Sequence, residues 1–351
     1  MIAPWLLPSW NRLVELGPRL PHALLFVGPA GLGKRALAEA LAARILCDSP
    51  AADGQACGHC EPCRWRLSGN HPDLHLVIPA ADAEEAEGAE GEGGREPAAG
   101  KAKSSQIVIE QIRDLQAALT VTGHHSARRV VVIDPAEAMN VFTANALLKL
   151  LEEPPAGCVF LLVSSAPRRL LPTIRSRCQQ WPFARPDAEA LAHWRRHAGK
   201  ESVALLAISG GMPLAAERLA EAGGAALLER FVRDLGQLQP ANALRVAGQW
   251  EAWLKAKESA AAGFGLPQLV DWMQRWVSDL ASLRLGGRVR FFPAQEAVLS
   301  AVASRTGVAA VSNCYNELAQ ISRVAQHPLN LRLFLEDMLL RYARAITGAR
   351  E

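Results

Sequence analysis

The stretch Gly28 to Arg35, GPAGLGKR, carries the residue types of a loop that wraps phosphate. Such a loop needs glycines at its first and sixth positions so that the backbone can curl and aim N–H groups at phosphate oxygens, and Gly28 and Gly33 occupy them. Lys34 supplies the mobile positive charge. The eighth position calls for a serine or threonine hydroxyl to ligate magnesium, but this chain has Arg35, whose guanidinium cannot ligate a cation. A second set of reactive side chains is Cys47, Cys57, Cys60 and Cys63, spaced C-x9-C-x2-C-x2-C with Gly58 and Pro62 in the turns. Four thiolates suit tetrahedral zinc, and two-residue gaps let neighbouring cysteines wrap one ion from a single turn. His59 and His71 are candidate substitutes, and reduced thiols without metal are the plain alternative. With no position left for a catalytic water, zinc here would be structural.

Further positions bear on phosphate chemistry. The β-branched run Val130 to Ile133 ends in Asp134. In phosphate-loop ATPases an aspartate at this point helps hold magnesium, and the next residue is commonly a glutamate that polarises the attacking water. Pro135 stands there instead, and Glu137 beyond it is expected to point elsewhere. Asp134 is therefore read as a helix N-cap with Pro135 at the first helical position. Arg175 and Arg177, in the run LLPTIRSRC from Leu170 to Cys178, are the remaining candidates for a charged role.

The elements that must position these residues follow from the apolar pattern. Ala23 to Val27 reads as the strand before the phosphate loop, and Ala36, Leu37, Ala40, Leu41 and Ile45 recur at helical spacing up to Cys47. Leu74 to Ile78 reads as a short strand. Ile109, Ile112, Leu115 and Leu119 predict a helix, as does Asn145 to Pro155, NALLKLLEEPP, which two prolines end. Cys158 to Val163 reads as a buried parallel-type strand, with Ser164 and Ser165 closing it and a short apolar patch from Trp181 to Phe183 further on. Upstream, Trp5 to Leu7 and Trp10 to Leu16 suggest a helix packed on the core. Residues 80–103, rich in Ala, Gly, Glu and Pro, read as a disordered, solvated acidic insertion more readily than as a partner-binding tail.

Half of the 351 residues are apolar, enough for two or three domains with real cores. A net charge of +3 excludes a protein that binds nucleic acid through its global field alone, so any such contact would be local or shared. No basic start with an uninterrupted apolar segment marks a secretory signal, and no run is long enough to span a membrane. Seven cysteines in such a chain favour metal binding or burial over disulfides, and the cytoplasm is the expected compartment.

Taken together, the phosphate loop, the four-cysteine insert, NALLKLLEEPP, FLLVSS and the Ser176-Arg177-Cys178 triplet resemble the bacterial DNA polymerase III clamp-loader subunits, within the AAA+ ATPases. The resemblance implies an α/β fold with three parts. They are an AAA+ parallel-sheet domain over 1–182 with its zinc module at 47–63, a small helical lid over 183–226, and an all-α collar over 227–351. The last part also shows helical patterns such as Trp272, Trp276 and Leu280, whose tryptophans are expected in the core. ATP-hydrolysing gamma/tau subunits carry Ser or Thr after the lysine, an Asp-Glu pair, and a sensor arginine in the lid. This chain has Arg35, Pro135 and Pro213 at those places, which resembles the delta-prime branch.

By that resemblance Arg177 would act as an arginine finger on the ATP of a neighbouring gamma/tau subunit, and Gly28, Gly33 and Lys34 would form a vestigial loop that hydrolyses nothing yet could hold an anion or nucleotide. The implied partners are gamma/tau and delta subunits in a hetero-pentamer, with the sliding clamp and primer-template DNA reached through the complex at replication forks on the nucleoid. Two rivals remain: a gamma/tau-type motor ATPase, and a stand-alone zinc-bearing DNA-binding protein, which would bind DNA tightly and with steep salt dependence.

Overall fold

The computed structural model describes residues 2–80, 104–120, 128–256, 259, 264–325 and 330–347. The acidic stretch 80–103, but for its first residue, lies outside them. The chain divides into two compact units, Met1–Ala190 and Leu191–Glu351.

The first unit is built on five parallel strands, β1 (Ala23–Val27), β2 (Leu74–Val77), β3 (Arg129–Ile133), β4 (Cys158–Ser164) and β5 (Gln179–Pro182), in the order β2-β3-β4-β1-β5. Strands covered on both faces need apolar residues at every position, and Leu24, Leu25 and Phe26 of β1 and Phe160, Leu161 and Leu162 of β4 are fully buried. The short patch at Trp181 is thus the fifth strand: Phe26 pairs with Trp181 in parallel register. Among the described residues six α-helices accompany it: α1 (Leu7–Leu16), α2 (Lys34–Leu46), α3 (Glu61–Leu67), α4 (Ile109–Thr120), α5 (Val141–Glu152) and α6 (Pro172–Arg177). Ile112 and Leu115 of α4, Leu147 and Leu151 of α5 and Ile174 of α6 join the sheet in one core. As expected, α1 packs inward, through Trp10 and Leu13.

Two local readings change. Helix α5 begins at Val141 and not at Asn145, because the Asn140 side chain accepts the Thr143 N–H at 2.9 Å and caps the helix there. Asp134 is not an N-cap: the short 3-10 turn after β3 covers Ala136–Ala138, and Pro135, in extended conformation, precedes it without any side-chain capping bond. The extended proline moves the turn one residue onward, which leaves the Asp134 carboxylate free to face another charge.

The second unit contains, among the described residues, only helices: α7 (Ala188–His197), α8 (Lys200–Leu205), α9 (Pro213–Glu221), α10 (Gly224–Gly236), α11 (Ala243–Lys255), α12 (Leu266–Arg284), α13 (Glu296–Ala303), α14 (Val308–Val324) and α15 (Leu331–Thr347). Its core is aromatic. The Phe231 ring lies 5.5 Å from Trp272, 5.9 Å from Trp250 and 6.0 Å from Trp276, so the tryptophans are core residues as their helical spacing predicts. Two of them have their indole N–H satisfied: Trp250 Nε1 donates to Asp234 Oδ2 at 2.7 Å, and Trp276 Nε1 to the Tyr342 hydroxyl at 2.7 Å. Asp279, buried, accepts backbone N–H bonds from Arg290, Phe291 and Phe292 at 2.8–2.9 Å. No described helix is long and apolar enough to cross a membrane.

The Trp276–Tyr342 bond offers a clean test of this core. Tyr342→Phe removes the acceptor and leaves a fully buried indole N–H without it, which is expected to destabilise the unit by about 1–3 kcal/mol. Urea unfolding followed by tryptophan fluorescence measures it, and an unchanged midpoint would contradict this account.

Candidate functional site

The phosphate loop follows β1, Asp134 follows β3 and Ser165 follows β4. Because β1 and β3 both flank β4 in the parallel sheet, all three lie at one edge, outside the C-terminal ends of the strands. The loop's shape depends on glycine at specific points. Gly31 and Gly33 have φ of 79° and 92°, which side chains rarely adopt. Gly28 is needed for close approach, since a Cβ there would meet the Phe183 carbonyl oxygen at 3.1 Å and Leu32 Cδ1 at 3.1 Å.

Lys34 opens α2 and is only 4% exposed. Its ammonium carries three protons and has three acceptors within the chain: Gly28 O at 2.7 Å, Pro29 O at 2.7 Å and Ser165 Oγ at 2.9 Å. Burial pulls its pKa below the usual lysine range, opposed by the nearby charges of Glu137 and Asp134. Arg35, at the magnesium-ligand position, places Nε 2.9 Å from Glu39 Oε1 and 3.7 Å from Asp134 Oδ2. Burial pushes the Asp134 carboxyl up, and Arg35 foremost, then Lys34, pull it back. A guanidinium thus neutralises Asp134 from the position where a magnesium ligand would stand.

Glu137 does not point away from this edge. Its Oε1 accepts the backbone N–H of Ser165 at 2.9 Å and of Ala166 at 3.1 Å, so it braces the turn that offers Ser165 to Lys34. Spacing from Asp134 alone could not reveal that role, because the partners lie 28 and 29 residues away in sequence.

The four cysteines converge. Their Sγ atoms all lie within 4.8 Å of one another, with Cys47 3.8 Å from Cys60 and Cys57 3.9 Å from Cys63. A tetrahedral ion with metal–sulfur bonds of about 2.3 Å would space its sulfurs about 3.8 Å apart, so the cluster could hold a metal ion with little movement. The backbone N–H groups of His59 and Cys60 hold the Cys57 thiol down at about 5. Neither histidine joins the group. His59 Nδ1 lies 2.9 Å from Cys57 O, and the Asp73 N–H donates to His71 Nδ1 at 3.0 Å. Cys47 directly follows α2, whose 13 residues separate the cluster from the phosphate loop by about 20 Å of helix. The cluster therefore cannot join chemistry at the loop.

Arg177 ends α6 at the surface, in an ion pair with Glu152 of α5, and its Nη1 donates to Thr173 O at 3.2 Å. Pro213 is the first residue of α9 and is buried, with no charged group to offer.

Residues 10–187 match the family described as DNA polymerase III, delta subunit. A DNA polymerase III subunit delta' from Pseudomonas aeruginosa is 36% identical over 355 residues, covering 97% of this chain and 97% of that one. A protein of the same name from Escherichia coli K12 is 30% identical over 282 residues, 79% of this chain and 75% of that one. Among solved structures, a DNA polymerase III gamma subunit-related protein from Thermotoga maritima aligns over 97% of this chain and 99% of its own, with 18% identity and a TM-score of 0.47.

Gly28 tests the loop geometry directly. Gly28→Ala forces a methyl group against the Phe183 backbone and is expected to destabilise the first unit by about 1–3 kcal/mol. Arg35→Ala, by contrast, removes a partly exposed ion pair and should shift stability by less than about 1 kcal/mol. Thermal melts of both variants check the pair, and the reverse order of effects would refute this geometry.

Proposed function

The chain belongs to the DNA polymerase III delta-prime family, and from that premise we propose that it is the non-hydrolysing stator subunit of a clamp-loader complex. The observation that carries this reading is Arg35, which stands where a magnesium-ligating hydroxyl is needed and lies 3.7 Å from Asp134 Oδ2. Lys34 donates to Gly28 O, Pro29 O and Ser165 Oγ, bonds that a phosphate would have to replace. Pro135 adds to it by replacing the water-polarising glutamate, and Pro213 by replacing the lid's sensor arginine. Phosphoryl transfer depends on positioned positive charge and metal, so losing these groups together removes what drives it.

Arg177 is then the group that works, in trans. Its guanidinium reaches the γ-phosphate of ATP on the neighbouring gamma/tau subunit and neutralises charge that develops as the phosphoryl group transfers. The pair with Glu152 fits such a role. Both side chains are partly exposed, a setting in which an ion pair is worth little, so the arginine can leave it for a phosphate. Residues 1–182 act as the AAA+ domain, 183–226 as its lid and 227–351 as the collar that joins gamma/tau and delta subunits in a pentamer. Through that complex the chain helps open the sliding clamp and close it on primer-template DNA, as part of the DNA-directed DNA polymerase III machinery at replication forks. Zinc on Cys47, Cys57, Cys60 and Cys63 is structural, tying the end of α2 to α3.

Three measurements test these statements. Calorimetric titration of the isolated chain with Mg-ATP, with turnover measured on the same sample, is expected to show no hydrolysis; clear turnover would favour a gamma/tau-type motor. In the reconstituted complex, Arg177→Ala should slow DNA-dependent ATPase by about 10³-fold with assembly unchanged, and normal turnover would remove the finger from the mechanism. Metal analysis should find one zinc per chain, lost in Cys60→Ser together with several degrees of melting temperature, and a metal-free wild type of equal stability would overturn the zinc assignment.

A further inference from the structure

The second unit holds a charged groove that the stator reading does not use. Arg230, Arg233 and Asp234 of α10, with Gln237 just past its end, lie at i, i+3, i+4 and i+7 and line one groove. Asn242, just before α11, and Arg245 and Gln249 within it line the other side of the groove, whose volume is about 280 Å³.

Charge within the groove is unbalanced. Three guanidinium groups face one carboxylate, Asp234, which is already engaged by the Trp250 indole at 2.7 Å and lies 3.5 Å from Arg233 Nε and 3.9 Å from Arg230 Nε. Arg230 serves the fold, stacking over the Trp253 ring at 5.0 Å and donating to Gln249 O at 3.2 Å. Arg233 and Arg245 do not. Arg233 is 64% exposed beside the already engaged Asp234, and Arg245, also exposed, donates to the neutral Gln249 side chain at 3.2 Å. Arg245 moreover sits in the first turn of α11, where the helix dipole disfavours a cation and where no acidic residue offsets it. Helix stability does not account for its charge.

We propose that this groove binds the phosphodiester backbone of a nucleic acid, with Arg233 and Arg245 as its phosphate contacts and Gln237 and Asn242 at its edges. Among the described residues Val246 is the only apolar one in the lining, so the groove lacks the anchor pocket on which a docked peptide depends, whereas a phosphate backbone needs forked donors and no apolar floor. The choice of a nucleic acid over other polyanions rests on the clamp-loader reading; the groove's demand for phosphate does not.

The test uses the full-length chain and a fluorescein-labelled single-stranded oligothymidylate, followed by anisotropy across a salt series. Arg233→Gln combined with Arg245→Gln should weaken binding about ten-fold at low salt and lower the slope of log affinity against log salt by about 1.4, two contacts at roughly 0.7 each. The matching Lys/Lys variant keeps the charge but loses the forks and should fall between. A control pair, Arg195→Gln with Arg196→Gln, removes equal charge from α7, and circular dichroism melts confirm that all variants fold. An unchanged affinity in the groove variant, or an equal loss in the control, overturns the site. Displacement of the oligonucleotide by polyglutamate of equal charge at equal concentration would make it an acidic-protein site, and displacement by inorganic tripolyphosphate at stoichiometric concentration a free-phosphate site; either result refutes the proposal. ATP turnover plays no part in this measurement, so its failure leaves the stator reading untouched, and failure of the Arg177 experiment leaves this one intact.

Discussion

A buried ammonium group needs acceptors for its protons, because an unpaired charge out of water costs far more than a hydrogen bond returns. Lys34 sets that requirement, and the edge of the first unit is arranged to meet it. Two acceptors are carbonyls of the phosphate loop, and the third is the Ser165 hydroxyl, contributed 131 residues later. Ser165 is available only because β4 pairs with β1 in a register that sets Ser164 beside Val27. Glu137 then fixes the turn at Ser165 and Ala166, so the third acceptor is held by a residue that follows a different strand. The loop is in this way held in shape by residues from three strand ends.

The same rule shapes the charges around it. Asp134, left without a capping role by the extended Pro135, faces Arg35 across 3.7 Å. In phosphate-loop ATPases that neighbourhood holds a divalent ion; here a side chain of the protein supplies positive charge beside Asp134. The cysteine cluster, about 20 Å away at the far end of α2, is separate from it. Its four sulfurs sit close enough to hold a metal ion, in a short loop-rich segment between α2 and α3.

In the second unit, carboxylates organise an aromatic core. Asp234 takes the Trp250 indole, Asp279 takes three successive backbone N–H groups, and Tyr342 takes the Trp276 indole. Each satisfies a donor that burial would otherwise leave stranded. Asp234 also marks the limit of this economy, since it faces more positive charge than it can balance, and the excess remains at the surface between α10 and α11.

Much of this was legible in residue order alone, where the determinants are local. Glycines at fixed positions before Lys34 define a phosphate loop, unbroken apolar runs at Leu24 and Phe160 define strands buried on both faces, and two-residue cysteine gaps define a thiolate cluster. The substitution at Arg35 was equally plain, since no arrangement makes a guanidinium a metal ligand. Sequence went astray where one residue admits two local geometries. Asp134 before a proline resembles a helix cap, and only the actual backbone placed the turn beyond it; Glu137 was assigned away from the site because spacing along the chain does not say which strand end will be adjacent. What the tertiary structure alone decided was the set of long-range partners: Ser165 for Lys34, Asp134 for Arg35, Tyr342 for Trp276, and the meeting of three arginines in one groove. Those depend on strand order and helix packing, which bring distant residues together, whereas backbone curl, periodicity and ligand chemistry are properties of a few neighbouring residues and are therefore written in their order.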